Sequence, residues 1–341
     1  MGPTTTTARD VARAAIVANP DWPTLTIAKA VYRDNPAVWP SLDAARLCVR
    51  RQRGELALGR NSRRPVGART QTQREATRIS GVGRLPPARD DRYKEFVLPK
   101  IGHWLVCADL HVPYHDAAAI DAMLAWVTAQ RLRIAGVLYL GDILDCYAMS
   151  KFQRDPREVD FDQELRALEW VMDYVGDALQ PEQTWWKIGN HEERLHAYLY
   201  QHAPELFPAL AKRGLLTWEH LVNMDGHHPT IIDYGNPVRL DELWMLHGHE
   251  TGRAMSNPVN PARGAYLRTQ ACTLVAHQHR TSEHAETNIA GVVITCWSLG
   301  CLCGLHPQYS KFNKWNHGFA IVHTDGMWSV DNKRIWRGKV L

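Results

Sequence analysis

Oxygen and nitrogen ligands recur along this chain just past short apolar runs. Gly189-Asn190-His191-Glu192-Glu193-Arg194-Leu195 puts an amide, an imidazole and two carboxylates directly after Thr184 to Ile188. Asp109 and His111 follow the run that begins at His103, and Gly141-Asp142 follows Ile134 to Leu140. His247-Gly248-His249 follows Arg239 to Leu246, and His277-Gln278-His279 follows Thr273 to Ala276. By type, each is a metal ligand or a proton donor, and mixed carboxylate, amide and imidazole sets suit borderline divalent metals. Singly, each has an ordinary explanation: Gly-Asp is a common turn, and Asn-His can cap a helix ahead of a surface histidine. Together, all at the ends of apolar runs, they are hard to assign to chance.

The elements that must position them alternate. From about Phe96 the pattern predicts strands over 103–109, 134–140 and 184–188, with helices at Ala117 to Gln130, Leu165 to Leu179 and after Gly189. Further strands are expected at Thr230–Tyr234, Arg239–Leu246, Thr273–Ala276 and Val292–Trp297. A hairpin turning at Asp325-Gly326 joins His317–His323 to Met327–Val330. Strand–helix alternation followed by mostly strands predicts an α/β fold, a two-sheet β-sandwich flanked by helices. In such architectures ligands bind beyond the carboxyl ends of strands.

Ahead of this region, helical periodicity covers 8–18, Thr24 to about Arg33, and a third segment with Ser41 as N-cap and Gly54 as its end. On the third, Arg46, Arg50 and Arg53 share a face apart from the apolar stripe of Leu42, Ala45 and Val49. Residues 55–95 hold Arg60, Arg63, Arg64, Arg69, Arg74 and Arg78 with little hydrophobic period and read as a linker. The expected organisation is thus a small helical, helix-turn-helix-like basic domain (1–54), a linker (55–95) and a catalytic domain (96–341). Residues 1–90 carry 16 Lys and Arg against 7 Asp and Glu, whereas the rest carries 24 against 29. That basic arm suits a polyanion such as DNA or RNA. No run is long and apolar enough for a membrane span, and the N-terminus has no secretory signal. Seven scattered cysteines, with Cys301 and Cys303 too close for a zinc pair, indicate a reduced cytoplasmic compartment. The 13 tryptophans include Trp185, Trp186, Trp297 and Trp315 near the motif strands. Core packing, rather than base stacking, is the default expectation there.

The ligand order resembles the calcineurin-like metallophosphoesterase superfamily, whose motifs are Asp-x-His, Gly-Asp, Gly-Asn-His with Asp or Glu, a histidine before glycine, and Gly-His-x-His. The resemblance spans roughly Val97 to Asp325, and Ala276 stands where the last motif usually has glycine. Gly-Asn-His-Glu-Glu-Arg-Leu, His-Gly-His-Glu and Ala262-Arg263-Gly264-Ala265-Tyr266 look like the branch found in bacteriophage genomes, which implies the host cytoplasm for a phage-encoded chain.

The resemblance implies two divalent ions, Mn foremost, with Fe, Zn, Ni or Mg also suited. Asp109, His111 and His279 would hold one; Asn190, His247 and His277 would hold the other; Asp142 would bridge. Family order favours His247 over His249. The implied activity is phosphoester hydrolysis by a hydroxide held between the ions, with His191 protonating the leaving group or holding a phosphate oxygen. Arg194 either binds substrate phosphate or pairs with Glu192, Glu193 or Asp145. Asp145 itself reads as a partner of a ligand. A nucleic-acid or nucleotide phosphoester (nuclease or end phosphatase) is the leading substrate expectation. The alternatives are a small-molecule or protein phosphomonoesterase with a basic docking arm, and a nucleic-acid-binding protein with a vestigial core.

Overall fold

Odd and even residues of the apolar runs enter different cores, as the two-residue period of a strand requires. Trp104, Val106, Leu138 and Leu140 pack into one cluster, whereas Leu105, Cys107, Val137 and Tyr139 pack into another. In the computed structural model, which describes residues 7–58, 93–151, 155, 160–222, 229–252, 259–307 and 310–341, the chain divides into units Met1–Asp90 and Asp91–Leu341.

The smaller unit has three helices: α1 (Ala8–Ala18), α2 (Thr24–Asp34) and α3 (Leu42–Leu58). Thr7 and Asp10 form a reciprocal capping box at the start of α1. Ala12, Ile16, Ile27, Ala28, Val31, Trp39, Ala45 and Val49 close the core. The third helix runs past its expected stop at Gly54. One glycine costs a helix only about 1 kcal/mol, and the following Glu, Leu, Ala and Leu are strong helix formers. Arg53 also departs from the expected basic face. Its guanidinium donates to Thr24 Oγ1 at 3.1 Å and to the Pro20 and Trp22 carbonyls. Arg46 and Arg50 remain exposed. The arginine-rich stretch expected as a linker falls outside the described residues, apart from its two ends.

The larger unit is a mixed α/β sandwich of two sheets flanked by helices. Its strands are β1 (Phe96–Val97), β2 (His103–Cys107), β3 (Ile134–Tyr139), β4 (Gln183–Lys187), β5 (Thr230–Ile232), β6 (Val238–Leu240), β7 (Leu243–Leu246), β8 (Thr273–Val275), β9 (Ser282–Thr287), β10 (Val293–Ser298), β11 (His317–His323), β12 (Ser329–Trp336) and β13 (Lys339–Val340). One sheet runs β1-β6-β7-β8-β10-β9 and the other β13-β12-β11-β2-β3-β4-β5. Within the second, β2, β3, β4 and β5 are mutually parallel. The Trp104 cluster fills the space between sheets with Leu240, Met245, Leu274 and Ala320. The Leu105 cluster packs α4 (Ala117–Ala129), α5 (Phe161–Leu179) and α6 (Glu193–His202) against the outer face. Short helices α7 (Phe207–Lys212) and α8 (Trp218–Leu221) follow, and α9 (Pro261–Thr269) covers Val275, Ile294 and Cys296 on the other sheet. Each aliphatic side chain so buried contributes roughly 1.5–3 kcal/mol.

Two expected elements differ in extent. The strand expected over 239–246 is a hairpin, because Asp241 takes a left-handed φ of 50° and reverses the chain. Helix α5 begins at Phe161, capped by the Asp160 carboxylate, which accepts from Gln163 N at 2.8 Å. Trp185, Trp186 and Trp297 pack in the cores, as strand tryptophans should; Trp315 does not join them. All seven cysteines are free thiols. Among the described residues, no helix is long and apolar enough to cross a membrane.

Candidate metal centre

The carboxyl ends of β2, β3, β4, β7 and β8 converge, and each is followed by one of the motif loops. Asp109 and Asp142 are 0 % and 1 % exposed. Each carboxylate has one oxygen pinned by a backbone N–H from another loop: His277 N donates to Asp109 Oδ2 at 2.9 Å, and His191 N donates to Asp142 Oδ1 at 2.9 Å. The second oxygen of each faces imidazoles. Asp109 Oδ1 lies 3.3 Å from His279 Nε2 and 3.9 Å from both His111 Nε2 and His247 Nε2. Asp142 Oδ2 lies 3.0 Å from His247 Nε2 and 3.9 Å from His277 Nδ1.

The outer ring nitrogens fix which way the inner lone pairs point. Leu140 O can only accept, so His247 Nδ1, 2.8 Å away, carries the proton and Nε2 faces the carboxylates. Asp145 Oδ1, 3.0 Å from His111 Nδ1, does the same for His111. His111 Nε2 then stands 3.3 Å from His279 Nε2. Burial disfavours charge on His247 and His279, but the adjacent carboxylates outweigh it: Asp142 holds His247 up at about 9, and Asp109 holds His279 up at about 10. Burial likewise raises Asp142, yet His247 and His191 hold it well below the usual carboxylate range.

The donor set fits divalent cations. Asp109 Oδ1 and Asn190 Oδ1 are buried and accept no hydrogen bond, which in a folded protein calls for a ligand. Asp109–His111–Asp142 and Asp142–His247–His277 each offer ligand atoms within 4.8 Å of one another, and Asp142 belongs to both groups. Backbone strain concentrates here as well. Asp109, His111, Asp142, His277 and His279 all have φ between 48° and 67°. This left-handed region costs L-residues roughly 1–2 kcal/mol each, and such residues cluster at functional sites.

Glycines let the loops approach so closely. A Cβ on Gly189 would overlap the Asp142 backbone and carboxylate, and one on Gly141, whose φ is +90°, would sit 2.6 Å from His247 Nδ1. Ala276, where the family motif usually has glycine, is fully buried between the sheets without a positive φ, so its methyl is accommodated.

His249 points elsewhere. Its ring stacks on Tyr234 at 4.4 Å and 6°, and burial lowers its pKa to about 4. Arg194 approaches neither Glu192 nor Glu193. It donates to Asp145 O at 2.9 Å and to His191 Nε2 at 2.8 Å. A guanidinium only donates, so His191 Nε2 is an acceptor and Nδ1–H faces Asp145 at 3.0 Å. Burial keeps His191 below its ordinary pKa.

The structure gives Glu192 and Glu250 tasks that the sequence did not assign them. Glu192, 0 % exposed, accepts from Gly189 N (2.8 Å), Asp142 N (3.1 Å), Ile143 N (2.7 Å) and Leu144 N (3.0 Å). It ties the loop after β4 to the loop after β3. Glu250 accepts from Gly248 N at 2.7 Å and pairs with buried Lys187 at 2.6 Å. Burial raises Glu250, but Lys187 prevails and holds it at about 2. Cys303 lies 3.8 Å from His279 Nδ1. The sequence signal for Glu192 was its place directly after Gly-Asn-His, where the motif it resembles has Asp or Glu, and that marks the position without its task.

No family model matches the chain. It is 23 % identical over 239 residues to the Gene 54 protein of Mycobacterium phage L5, covering 65 % of this chain and 89 % of that protein. Among solved structures it is similar to a Vps29 single mutant from Entamoeba histolytica, with a TM-score of 0.35 and 13 % identity over 70 % of this chain and 96 % of the other. It is also similar to a dimetal phosphatase from Danio rerio, with a TM-score of 0.34 and 13 % identity over 70 % of this chain and 97 % of the other.

Proposed function

We propose that the chain is a metal-dependent phosphoester hydrolase with two divalent ions, Mn²⁺ foremost, in the cluster around Asp109 and Asp142. The observation that carries this reading is the pair of carboxylates that each keep one oxygen turned toward imidazoles, with the Asn190 amide oxygen buried and unsatisfied. Asp109, His111 and His279 would hold one ion, Asn190, His247 and His277 the other, with Asp142 between them. Such ions supply electrophilic stabilisation of a phosphoryl group and activation of water.

The chain's own residues do the rest. His277, half-exposed on the rim, leaves the centre open to solvent. Arg194 is held against Asp145 and His191 and reaches the cleft of about 620 Å³ lined by Lys151, Asn190 and Tyr198. A phosphate oxygen arriving there competes for the guanidinium, because Arg–phosphate pairs form two parallel bonds. Release of His191 Nε2 from Arg194 frees its lone pair to take up a proton from solvent, which the imidazolium can then pass to a leaving oxygen. Nucleic acid or a nucleotide is the substrate class we favour; the basic balance of residues 1–90 and exposed Arg46 and Arg50 support it.

The test is to strip the full-length protein with EDTA, restore Mn²⁺, and follow bis(p-nitrophenyl) phosphate and end-labelled single- and double-stranded DNA and RNA. Mn²⁺-dependent hydrolysis of the artificial ester is expected, with shortened strands for a nuclease or released terminal phosphate for an end phosphatase. Turnover that ignores EDTA would sink the metal reading. Turnover of the artificial ester alone would remove nucleic acid as substrate.

A further inference from the structure

Two clefts flank the candidate centre and differ in chemistry. The one past Asn190 carries the cations Lys151 and Arg194. The other, about 370 Å³, opens beside His111 and Asp145 and is walled by Tyr114, Tyr147, Pro307 and Trp315. Its volume falls within the roughly 300–1,000 Å³ of small-molecule sites. No lysine or arginine is among its described lining residues, so it suits an uncharged group rather than a second phosphate.

Its walls are aromatic faces. The Tyr114 and Tyr147 rings stand 6.1 Å apart at 69°, and Trp315 lies 4.1 Å from the ring of His279. Tyr147 Oη accepts from Asp155 N at 2.9 Å, which fixes that ring in place. Tyr114 is 40 % exposed. Polar groups join them: His115 and His306 also line the cleft, and burial holds the His115 pKa below its ordinary value.

We infer that this cleft is a base subsite, taking the planar aromatic base of a nucleoside phosphate whose phosphoryl group sits at the adjoining centre. The inference rests on the phosphoesterase reading and names its substrate class. Stacking of a base on an aromatic side chain is sequence-tolerant and strengthens binding roughly five- to hundred-fold per base. The base lies on the aromatic side of His111, and the cationic cleft past Asn190 receives the next phosphate of a strand.

Isothermal titration of the full-length protein, with Mn²⁺ and separately in EDTA, tests this with non-hydrolysable methylenephosphonate analogues of AMP and of ribose 5-phosphate. The nucleotide analogue is expected to bind at least about fivefold tighter than the sugar analogue, as one stacked base requires. Tyr114→Ala and Tyr147→Ala should each shrink that gap several-fold while the sugar analogue binds as before; Tyr114→Phe should retain it. Equal binding of the two analogues by the wild type would overturn the base subsite even if hydrolysis is robust. Phenylphosphonate binding as tightly as the nucleotide analogue would overturn it too, in favour of a simple aryl phosphate. A gap that persists in EDTA, in a protein that hydrolyses nothing, would uphold the subsite and count against the phosphoesterase reading alone.

Discussion

In the three-helix unit, polar side chains close on their own scaffold. Thr7 and Asp10 cap each other, Arg13 Nε donates to Gln52 Oε1 at 2.6 Å, and Arg53 ties α3 to the turn before α2. None of its described residues has a positive φ outside glycine. Among the described residues of the sandwich unit, eleven other than glycine do, and five of them are candidate ligands. There Asp109 Oδ1 and Asn190 Oδ1 are buried without a hydrogen-bond donor, and Asp142 Oδ2 faces imidazoles. Both units have a closed apolar core, and the helical unit too leaves Trp39 Nε1 and Arg53 Nε buried without a partner, so it is the coincidence of backbone strain with unsatisfied oxygens that sets the sandwich unit apart. Where strain and unsatisfied polarity coincide, the surrounding fold is holding groups ready for something that binds.

The comparison can be broken at its strongest point by Asp142→Asn. Removing the charge shared by both ligand groups should lower hydrolysis by about 10³-fold or more, the scale of losing roughly 4 kcal/mol of electrostatic stabilisation. Bound Mn²⁺ should fall from two per chain to one or none in elemental analysis; two retained ions would refute the shared role.

Glu192→Ala comes next. It strands four buried backbone N–H groups, each costing about 1–3 kcal/mol if left unpaired. We expect about 3–5 kcal/mol of lost stability, read as a midpoint shift in urea. A loss below about 1 kcal/mol would mean that water replaces the carboxylate.

His247→Ala against His249→Ala sharpens the centre itself. The first should cost about 10–100-fold or more in metal affinity, and the second less than about threefold. The reverse order would exchange their roles.

Protonation offers a graded test. In the metal-free protein the pKa values of His247 and His279 are raised, to about 9 and about 10. Their contribution to stability is therefore complete below about pH 6.5, the unfolded value, and is lost as pH rises through 9 to 10. Over the same window metal affinity should increase, because each ligand must shed its proton first. Thermal melts in EDTA and Mn²⁺ titrations between about pH 6 and 9.5 read both trends; an affinity flat with pH would remove these two imidazoles from the ligand set.

Smallest is Arg53→Ala, which should cost the helical unit about 1 kcal/mol. It should leave hydrolysis of a small artificial ester unchanged. A change in that turnover would mean that the two units do not act independently.

The ligand types, their order and their places past apolar runs were legible in the sequence, because strand periodicity and loop chemistry are local properties. So was the sandwich, since alternation assigns each side chain of a strand to one face or the other. Choices between near neighbours were not legible. The motif marks the position of Glu192, but nothing local says that its side chain turns inward onto four N–H groups. His247 and His249 flank one glycine; in the structure His247 meets Leu140 O and Asp142, whereas His249 stacks on Tyr234. Arg53 shares a helical face with Arg46 and Arg50, but its partners Thr24 and Trp22 come from another helix and its approach. By itself, the sequence determined which chemistries were present and on which elements. Only the tertiary structure decided which atoms meet, because the contacts that orient a buried carboxylate or imidazole come from loops 34 to 168 residues away, and no local pattern records them.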